Sequence, residues 1–416
     1  MRLRWLVLST LVFAAQSWAA ELWTVEKIEA LALSRDEQIK AIAEQIDALT
    51  AQASFDESLP DPQVVLAARN LPTDSFSMTQ EPMTQVVIGV QQRFPAGDTL
   101  SLKAKARLAE QERLKAELQL RQRQLRLQIR QMWVDWLYWR KLERLLKKQD
   151  EIYAKLESVA LSLFRVGKRA QQDVFRIKTV RAQIEEQQVK ARQQADDVLV
   201  RLARWVPELK QAGKLASHWP NWNVDSDIVM ARGRLLEHPM LKASQASVLF
   251  AKRQLALAEA AYQPDWRLGV SYGIRGGNTM LGEPRSDFVS IDFAFSLPWQ
   301  PANRQDKQVH ARQKQLLSAE FRRDDVLASL KARLDETETR IRWLIRRIAH
   351  FDQNLLVVSD QNRQAALDAY QRNTADFNDP MLAYDQHLRL RVQRLLLQKT
   401  LLASYAEFRF LTGEWP

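Results

Sequence analysis

The amino-acid sequence predicts a mainly α-helical protein with a small β part, built from a duplicated unit of one β-hairpin and one long α-helical hairpin. Long stretches contain neither proline nor glycine, and the 416-residue chain has only 11 Gly and 14 Pro, fewer than the usual ~7% and ~5%. Four short stretches alternate apolar and polar residues, as strands do. The order of elements then recurs along the chain, which indicates an internal repeat.

The first element is a predicted secretory signal peptide at residues 1–19. Arg2 and Arg4 give it a basic start, and an apolar core follows. The small residues Ser17 and Ala19 stand where signal peptidase would cut. Because the apolar run is shorter than the ~20 residues of a transmembrane helix, a membrane anchor is the weaker interpretation. We therefore expect an exported chain that could cross a membrane only with strands.

The first structural repeat is predicted over residues 20–217. Its apolar helical positions recur at steps of three and four residues, as on helix faces that are buried against neighbours. Gly167 interrupts the helical run, and Pro207 stops it. The predicted elements are strands over about 62–70 and 84–94 and long helices over about 98–165 and 172–205.

The second structural repeat is predicted over residues 218–416. A shift of 206 residues places Gly167 on Asn373. The same shift places Asp173 on Asp379, so the two helical hairpins break at equivalent positions. The predicted elements are strands over about 265–275 and 287–297 and long helices over about 303–372 and 380–411.

Each predicted strand has one apolar and one polar face. In the third strand Trp266 and Val270 fall on one face, whereas Arg267 falls on the other. The strands are close to the ~9–11 residues that span a bilayer, and aromatic residues lie near their ends. Both features favour a membrane barrel over a small soluble sheet on a helical bundle. Four strands cannot close a barrel, and lipid does not tolerate open edges. We therefore expect identical copies to pool their strands in a closed cyclic assembly.

Local motifs accompany this order of elements. The first helix break carries Phe164-Arg-Val-Gly-Lys-Arg-Ala-Gln-Gln-Asp-Val174, and Ala261-Tyr-Gln-Pro-Asp-Trp266 leads into the third strand. The first hairpin carries Leu59-Pro-Asp-Pro-Gln, Arg69-Asn-Leu-Pro72, Glu81-Pro-Met-Thr84 and Gln91-Gln-Arg-Phe-Pro95. In this order and spacing the mature chain resembles the TolC-like outer-membrane efflux factors, and the hairpin motifs are similar to the heavy-metal branch of Cus and Czc type.

The resemblance implies a homotrimer in the outer membrane of a Gram-negative bacterium. Its twelve strands would form one β-barrel, surrounded by outer-membrane lipid and continuous with a periplasmic α-helical tunnel. The implied function is passive conduction as the exit duct of a tripartite efflux system. The implied partners are a periplasmic membrane-fusion adaptor protein and an inner-membrane pump of the RND type, with heavy-metal ions as a candidate cargo.

The two helix breaks are the adaptor-contact tips that the resemblance implies. Gly167 also has a purely structural interpretation, as a positive-φ turn between antiparallel helices, and both interpretations can hold. The candidate contact residues are Arg165, Val166, Gly167, Lys168, Asp173, Asn373 and Thr374.

The second tip also carries the candidate gate of the periplasmic aperture. The resemblance implies that three copies of Asp379, with Asp376, converge on the symmetry axis, where like charges repel unless they gain cations or partners. The alternative interpretation is a helix N-cap, because Asp379 directly precedes Pro380.

Composition excludes several other classes of function. With 0 Cys there is no disulfide, thiol nucleophile or lipidated N-terminal cysteine, in contrast to many members of the copper-exporting branch. The 5 His lack metal-site spacing, and no catalytic or cofactor motif is found, so we expect no enzyme, no resident metal and no cofactor. Met78 and Met83 suit cuprous ions, although loop methionines are more often incidental.

Two further classes of protein share some of these sequence features. The formal net charge of +11 and two arginine-rich runs could suggest nucleic-acid binding, but these runs interleave apolar residues at helical spacing, and export argues against nucleic acid. The remaining alternative is an exported periplasmic coiled-coil or adaptor-like structural protein without a membrane barrel. The duplicated alternating strands favour the duct.

Overall fold

The computed structural model of the protein describes residues 22–211, 215–222, 228–372 and 374–413. The predicted signal peptide and Asn373 lie outside these ranges. The helices are α1 (Val25–Arg35), α2 (Glu37–Glu57), α3 (Thr99–Arg165), α4 (Gln171–Leu202), α5 (Ile228–Arg234), α6 (Pro239–Ala260), α7 (Gln305–His350), α8 (Leu356–Gln371) and α9 (Asn378–Thr412). The strands are β1 (Gln63–Arg69), β2 (Gln85–Phe94), β3 (Trp266–Arg275) and β4 (Phe288–Phe295). The predicted fold class, mainly helical with a small antiparallel sheet, is confirmed.

The four strands form one antiparallel sheet in the order β1-β2-β3-β4. The two hairpins join through β2 and β3, where Phe94 pairs with Trp266 and Val86 with Ile274. Within the described residues β1 and β4 each pair with one strand only, so both edges of the sheet are open. An open edge leaves a row of unpaired backbone groups, which is a template for another chain.

The helical stretch predicted over 303–372 differs from a single regular helix. A five-residue π-helix, Phe351–Leu355, separates α7 from α8. The predicted break near Asn373 is present as the end of α8 and the start of α9. A π-helix inserts an extra residue without needing glycine or proline, which is why the sequence gives no signal for it.

The chain divides into two compact units that do not follow the two repeats. Unit 1 takes Met1–Asp36, Leu125–Asn223 and Thr339–Glu407, and unit 2 takes Glu37–Gln124, Val224–Glu338 and Phe408–Pro416. Unit 2 contains the whole sheet, and unit 1 contains both helix breaks. The division of the sequence into repeats at 217/218 stays a prediction.

One apolar cluster holds the helices of unit 1 together near the helix breaks. It draws on α3, α4, α8, α9 and the break before α9, and the members on α3 and α4 follow the three-, four- and seven-residue spacing of buried helix faces. Its buried members are Leu145, Leu146, Tyr153, Leu156, Ala160, Val174, Ile177, Ile184, Tyr370, Phe377, Tyr384 and Leu388. Among the helices of the described residues, none is long and apolar enough to pass through a bilayer.

Candidate functional site

The sheet of unit 2 exposes a continuous apolar face. The register places Val64, Val90, Val270 and Ile291 side by side across all four strands. The exposed large side chains of this face are Val64, Leu66, Val86, Ile88, Val90, Trp266, Leu268, Val270, Tyr272, Ile274, Val289, Ile291, Phe293 and Phe295. Ile291 is 74% exposed and Val64 68%. A contiguous patch of this size is unusual on a soluble monomer and marks a surface that another molecule or a membrane covers.

The opposite face of the sheet carries mostly polar and small residues. Gln91 pairs with Gly269 across β2 and β3, and Gly269 with Asp292 across β3 and β4. Gly89 is required on this face because a Cβ there would lie 2.6 Å from the Cβ of Ser271. The predicted alternation of apolar and polar faces is therefore present in three dimensions.

Aromatic rings gather at one end of the apolar face. Phe94 stacks on Trp266 with ring centroids 4.0 Å apart, and Phe293 lies 5.9 Å from Trp266. Phe295 pairs with Trp266 in the β3–β4 register. Such a group of rings at one level is typical of the boundary between an apolar and an aqueous medium.

The first helix break, between α3 and α4, ends α3 with a glycine-dependent cap. Gly167 has φ +72°, its N–H donates to the carbonyl of Phe164 (2.9 Å), and the N–H of Lys168 donates to that of Leu163 (2.9 Å). This pair of bonds is the Schellman arrangement, which favours glycine because φ is positive. Arg165, Val166, Gly167 and Lys168 are all exposed, with Val166 at 67%, while Asp173 is half-buried in the first turn of α4.

The second helix break, between α8 and α9, shares two backbone hydrogen bonds with the first break, at positions 206 residues further along the chain. The N–H of Thr374 donates to the carbonyl of Ala369 (2.9 Å), which is the counterpart of the bond from Lys168 to Leu163. The bond from the N–H of Asp379 to the carbonyl of Asp376 (3.2 Å) likewise matches that from Asp173 to Ala170 (3.2 Å). The shift found in the sequence therefore recurs in the backbone hydrogen bonds.

Arg169 links the two tips, and sequence reasoning missed it. One guanidinium nitrogen donates to the carbonyl of Ala375 (2.8 Å), another lies 3.7 Å from Asp376, and the guanidinium carbon is 5.0 Å from the ring centroid of Tyr370. A second link runs from Arg176 to the Asn378 side chain (2.9 Å). Arg169 stands inside the motif around Gly167, but which tip arginine turns inward depends on tertiary packing.

The two candidate gate carboxylates lie in different settings. Asp376 is 88% exposed at its side chain and faces Arg169. Asp379 is exposed in the first turn of α9. The alternative interpretation of Asp379 as the N-cap is wrong, because α9 already begins at Asn378. An acid in the first turn still interacts favourably with the helix dipole.

No described part of the chain brings three or more His, Cys, Asp or Glu side chains into an arrangement that could hold a metal ion. The Nδ1 of His387 and the hydroxyl of Ser359 are joined by a hydrogen bond of 2.9 Å. Burial lowers the pKa of the His387 imidazole. Met83 is 54% exposed. Met78 and Met83 are candidate ligands for a soft cation by residue type alone.

Comparison with known proteins gives matches in structure and none in sequence: neither a family model nor a curated protein matches the chain. CusC, a protein that forms a transmembrane channel, has TM-score 0.77 at 13% identity, covering 94% of this chain and 92% of CusC. The outer membrane protein VceC from Vibrio cholerae has TM-score 0.79 at 16% identity, covering 94% and 97%. The CmeC outer membrane channel from Campylobacter jejuni has TM-score 0.72 at 14% identity, covering 96% and 90%. The chain therefore has the fold of the TolC-like outer-membrane efflux channels.

Proposed function

We propose that this protein is the outer-membrane exit duct of a tripartite efflux system, through which substrate passes passively from the periplasm to the exterior. The observation that carries the proposal is a four-stranded sheet with two open edges and one exposed apolar face. Such a sheet needs both an apolar medium against its face and further strands at its edges. The shared fold supports the same conclusion.

Three copies would complete the sheet. Joining the free edge of β4 to that of β1 in the next copy gives a closed ring of twelve strands, in which every strand has two neighbours. The apolar face would then meet outer-membrane lipid and the polar face would line the interior. The alternative, a periplasmic structural protein without a barrel, would leave the apolar face in water.

The two tips are the proposed docking surface for a periplasmic membrane-fusion adaptor, with an inner-membrane pump of the RND type beyond it. The tips match in backbone hydrogen bonding, and the first one exposes Arg165, Val166, Gly167 and Lys168. Two similar tips in each of three copies would present six similar sites in a ring. The contact roles proposed from the sequence for Asp173 and Thr374 belong to the same surface, and the one proposed for Asn373 lies outside the described residues.

The proposed aperture rests on Asp379 and Asp376 near the second tip. If the trimer axis passes these residues, their carboxylates would favour cations and repel anions. The test is the reversal potential of the purified protein in a planar bilayer under a salt gradient. Asp379→Asn should reduce cation selectivity, whereas Asp368→Asn, one turn before the break, should leave it unchanged; equal effects of both changes would contradict the gate.

Heavy-metal ions are the proposed cargo, supported by the motifs of the first hairpin. The structural matches include CusC, but also VceC and CmeC at similar scores. Deleting the gene in its host and measuring growth with silver, copper and zinc salts tests the cargo. Unchanged metal tolerance, with a loss of tolerance to drugs, would move the cargo to another class and leave the duct intact.

The duct itself is tested by the mass and location of the mature protein. Outer and inner membranes are separated, the protein is extracted in mild detergent, and its mass is measured by light scattering. A trimer of the 48.2 kDa chain, less any cleaved signal, is expected from the outer membrane. A monomer that stays soluble without detergent in the periplasm would contradict the shared barrel.

A further inference from the structure

A groove lined by basic residues lies within unit 1, away from both tips. α3 contributes Lys141, Arg144 and Lys148, and α9 contributes Arg391 and Arg394. On each helix these positions are three, four or seven residues apart, so they share one face. We call this site the basic groove; its apolar lining residues include Leu145, Leu356 and Leu395.

Within the described residues, acidic side chains do not balance the positive charges of the basic groove. The only acid in its lining is Asp352, which Arg394 holds through two hydrogen bonds of 2.7 and 2.8 Å. In the described part of the chain no ion pair involves any of the other four cations: Lys141, Arg144, Lys148 and Arg391. Five cations and one paired carboxylate leave a net of four positive charges around one cavity.

Two of these cations have contacts that orient their side chains. The Lys141 ammonium lies 5.2 Å from the ring centroid of Trp219, which covers one side of the groove. The π-helix Phe351–Leu355 carries Asp352, the partner of Arg394. Burial and the neighbouring Arg144 guanidinium lower the pKa of Lys141, as expected where like charges lie close together.

We infer that the basic groove binds a phosphate-type anion. Several ammonium and guanidinium groups around one cavity offer the charge-assisted hydrogen bonds that phosphate oxygens accept, and a bound anion would remove the repulsion between the cations. Arg391 and Arg394 supply planar donors, while Lys141 and Lys148 supply mobile ones. The ligand is either a free phosphate or the phosphate of a phospholipid headgroup. The site does not depend on the proposed transport function.

Calorimetric titration of the full-length protein in non-ionic detergent tests the site, with sodium phosphate as the probe and ionic strength held constant with chloride. We expect saturable binding of one phosphate per chain. Lys148→Gln and Arg391→Gln should each weaken binding about tenfold or more, since each removes a charge-assisted contact. Lys147→Gln, an exposed neighbour on α3 outside the groove, is the matched control and should bind as the unchanged protein does.

The outcomes separate the two sources and can overturn the site. The affinity for dihexanoyl phosphatidic acid is compared with that for sodium phosphate. If the phosphatidic acid binds more tightly and Arg391→Gln weakens the binding of both, the groove binds a lipid headgroup. If the two affinities are equal, the groove binds free phosphate. Absence of saturable binding overturns the site, as does equal binding by the groove variants and Lys147→Gln. Circular dichroism melting of each variant checks that the fold is retained.

Discussion

At the scale of single residues, His238 is a fully buried side chain that caps a helix only while its imidazole is neutral. Its Nδ1 accepts a hydrogen bond from the backbone N–H of Met240 (3.2 Å) and so caps the start of α6. Its ring packs edge-on against Phe410 with centroids 5.3 Å apart. Burial, and then the charge of Arg123, lower the pKa of His238 to about 4.

This histidine predicts a loss of stability in mild acid. As the pH falls below ~6.5, His238 is protonated in the unfolded chain, whereas in the folded protein it stays neutral until about pH 4. The stabilisation is therefore complete above pH 6.5 and falls by about 3 kcal/mol between pH 6.5 and 4. His238→Asn keeps a capping acceptor and does not titrate, so its melting temperature should fall less between pH 7.5 and 4.5. Equal falls in both proteins would contradict this assignment.

Arg169 predicts a second effect at the residue scale. Arg169→Gln removes the ion pair with Asp376 and weakens the bond to the Ala375 carbonyl, so the two tips keep only the link between Arg176 and Asn378. We expect a higher single-channel conductance in planar bilayers, because the tips at the proposed aperture are freer to separate. Arg165→Gln, on the same tip and exposed, is the control. Identical conductance of the two variants would show that Arg169 does not restrain the mouth.

At the scale of elements, neighbouring strands approach closely at a position that only glycine can occupy without a clash. Gly89→Ala would force its Cβ to within 2.6 Å of Ser271, between the paired strands β2 and β3. Gly269→Ala lies on the same face but meets Asp292 at an ordinary 3.5 Å. We expect Gly89→Ala to lose about 1–3 kcal/mol, as overpacking does, and Gly269→Ala to cost little. Heat-dependent dissociation of the proposed trimer on gels measures both, and equal midpoints would refute the difference.

The helix tips show how far sequence reasoning reaches at the element scale. The 206-residue shift predicted two equivalent breaks, and the bonds at Lys168 and Thr374 follow it. Gly167 was identifiable because a positive φ leaves a sequence signal. Arg169 and the π-helix at 351–355 were missed, because an inward-turned arginine and one extra residue in a helix leave the apolar period nearly unchanged.

At the scale of the whole molecule, the apolar face of the sheet predicts the behaviour of surface charges. Ile291→Arg places a cation in the middle of the exposed apolar face, where lipid contact would cost ~2–4 kcal/mol. Ser290→Arg, its neighbour on β4, faces the polar side. We expect Ile291→Arg to reduce the amount of protein in the outer membrane and Ser290→Arg to be tolerated, as measured by membrane fractionation. The reverse order would place lipid on the other face.

The helical class, the four alternating strands and the two helix breaks could be predicted from the sequence, because each leaves a periodic or conformational signal in neighbouring residues. Tertiary structure decided the rest. Four features join residues that are far apart in the chain. They are the pairing of β2 with β3, the division into compact units that cut across the predicted repeats, the bond from Arg169 to the second tip and the meeting of basic faces on α3 and α9. Periodicity reports which face of an element is buried, whereas only packing decides which other face it meets.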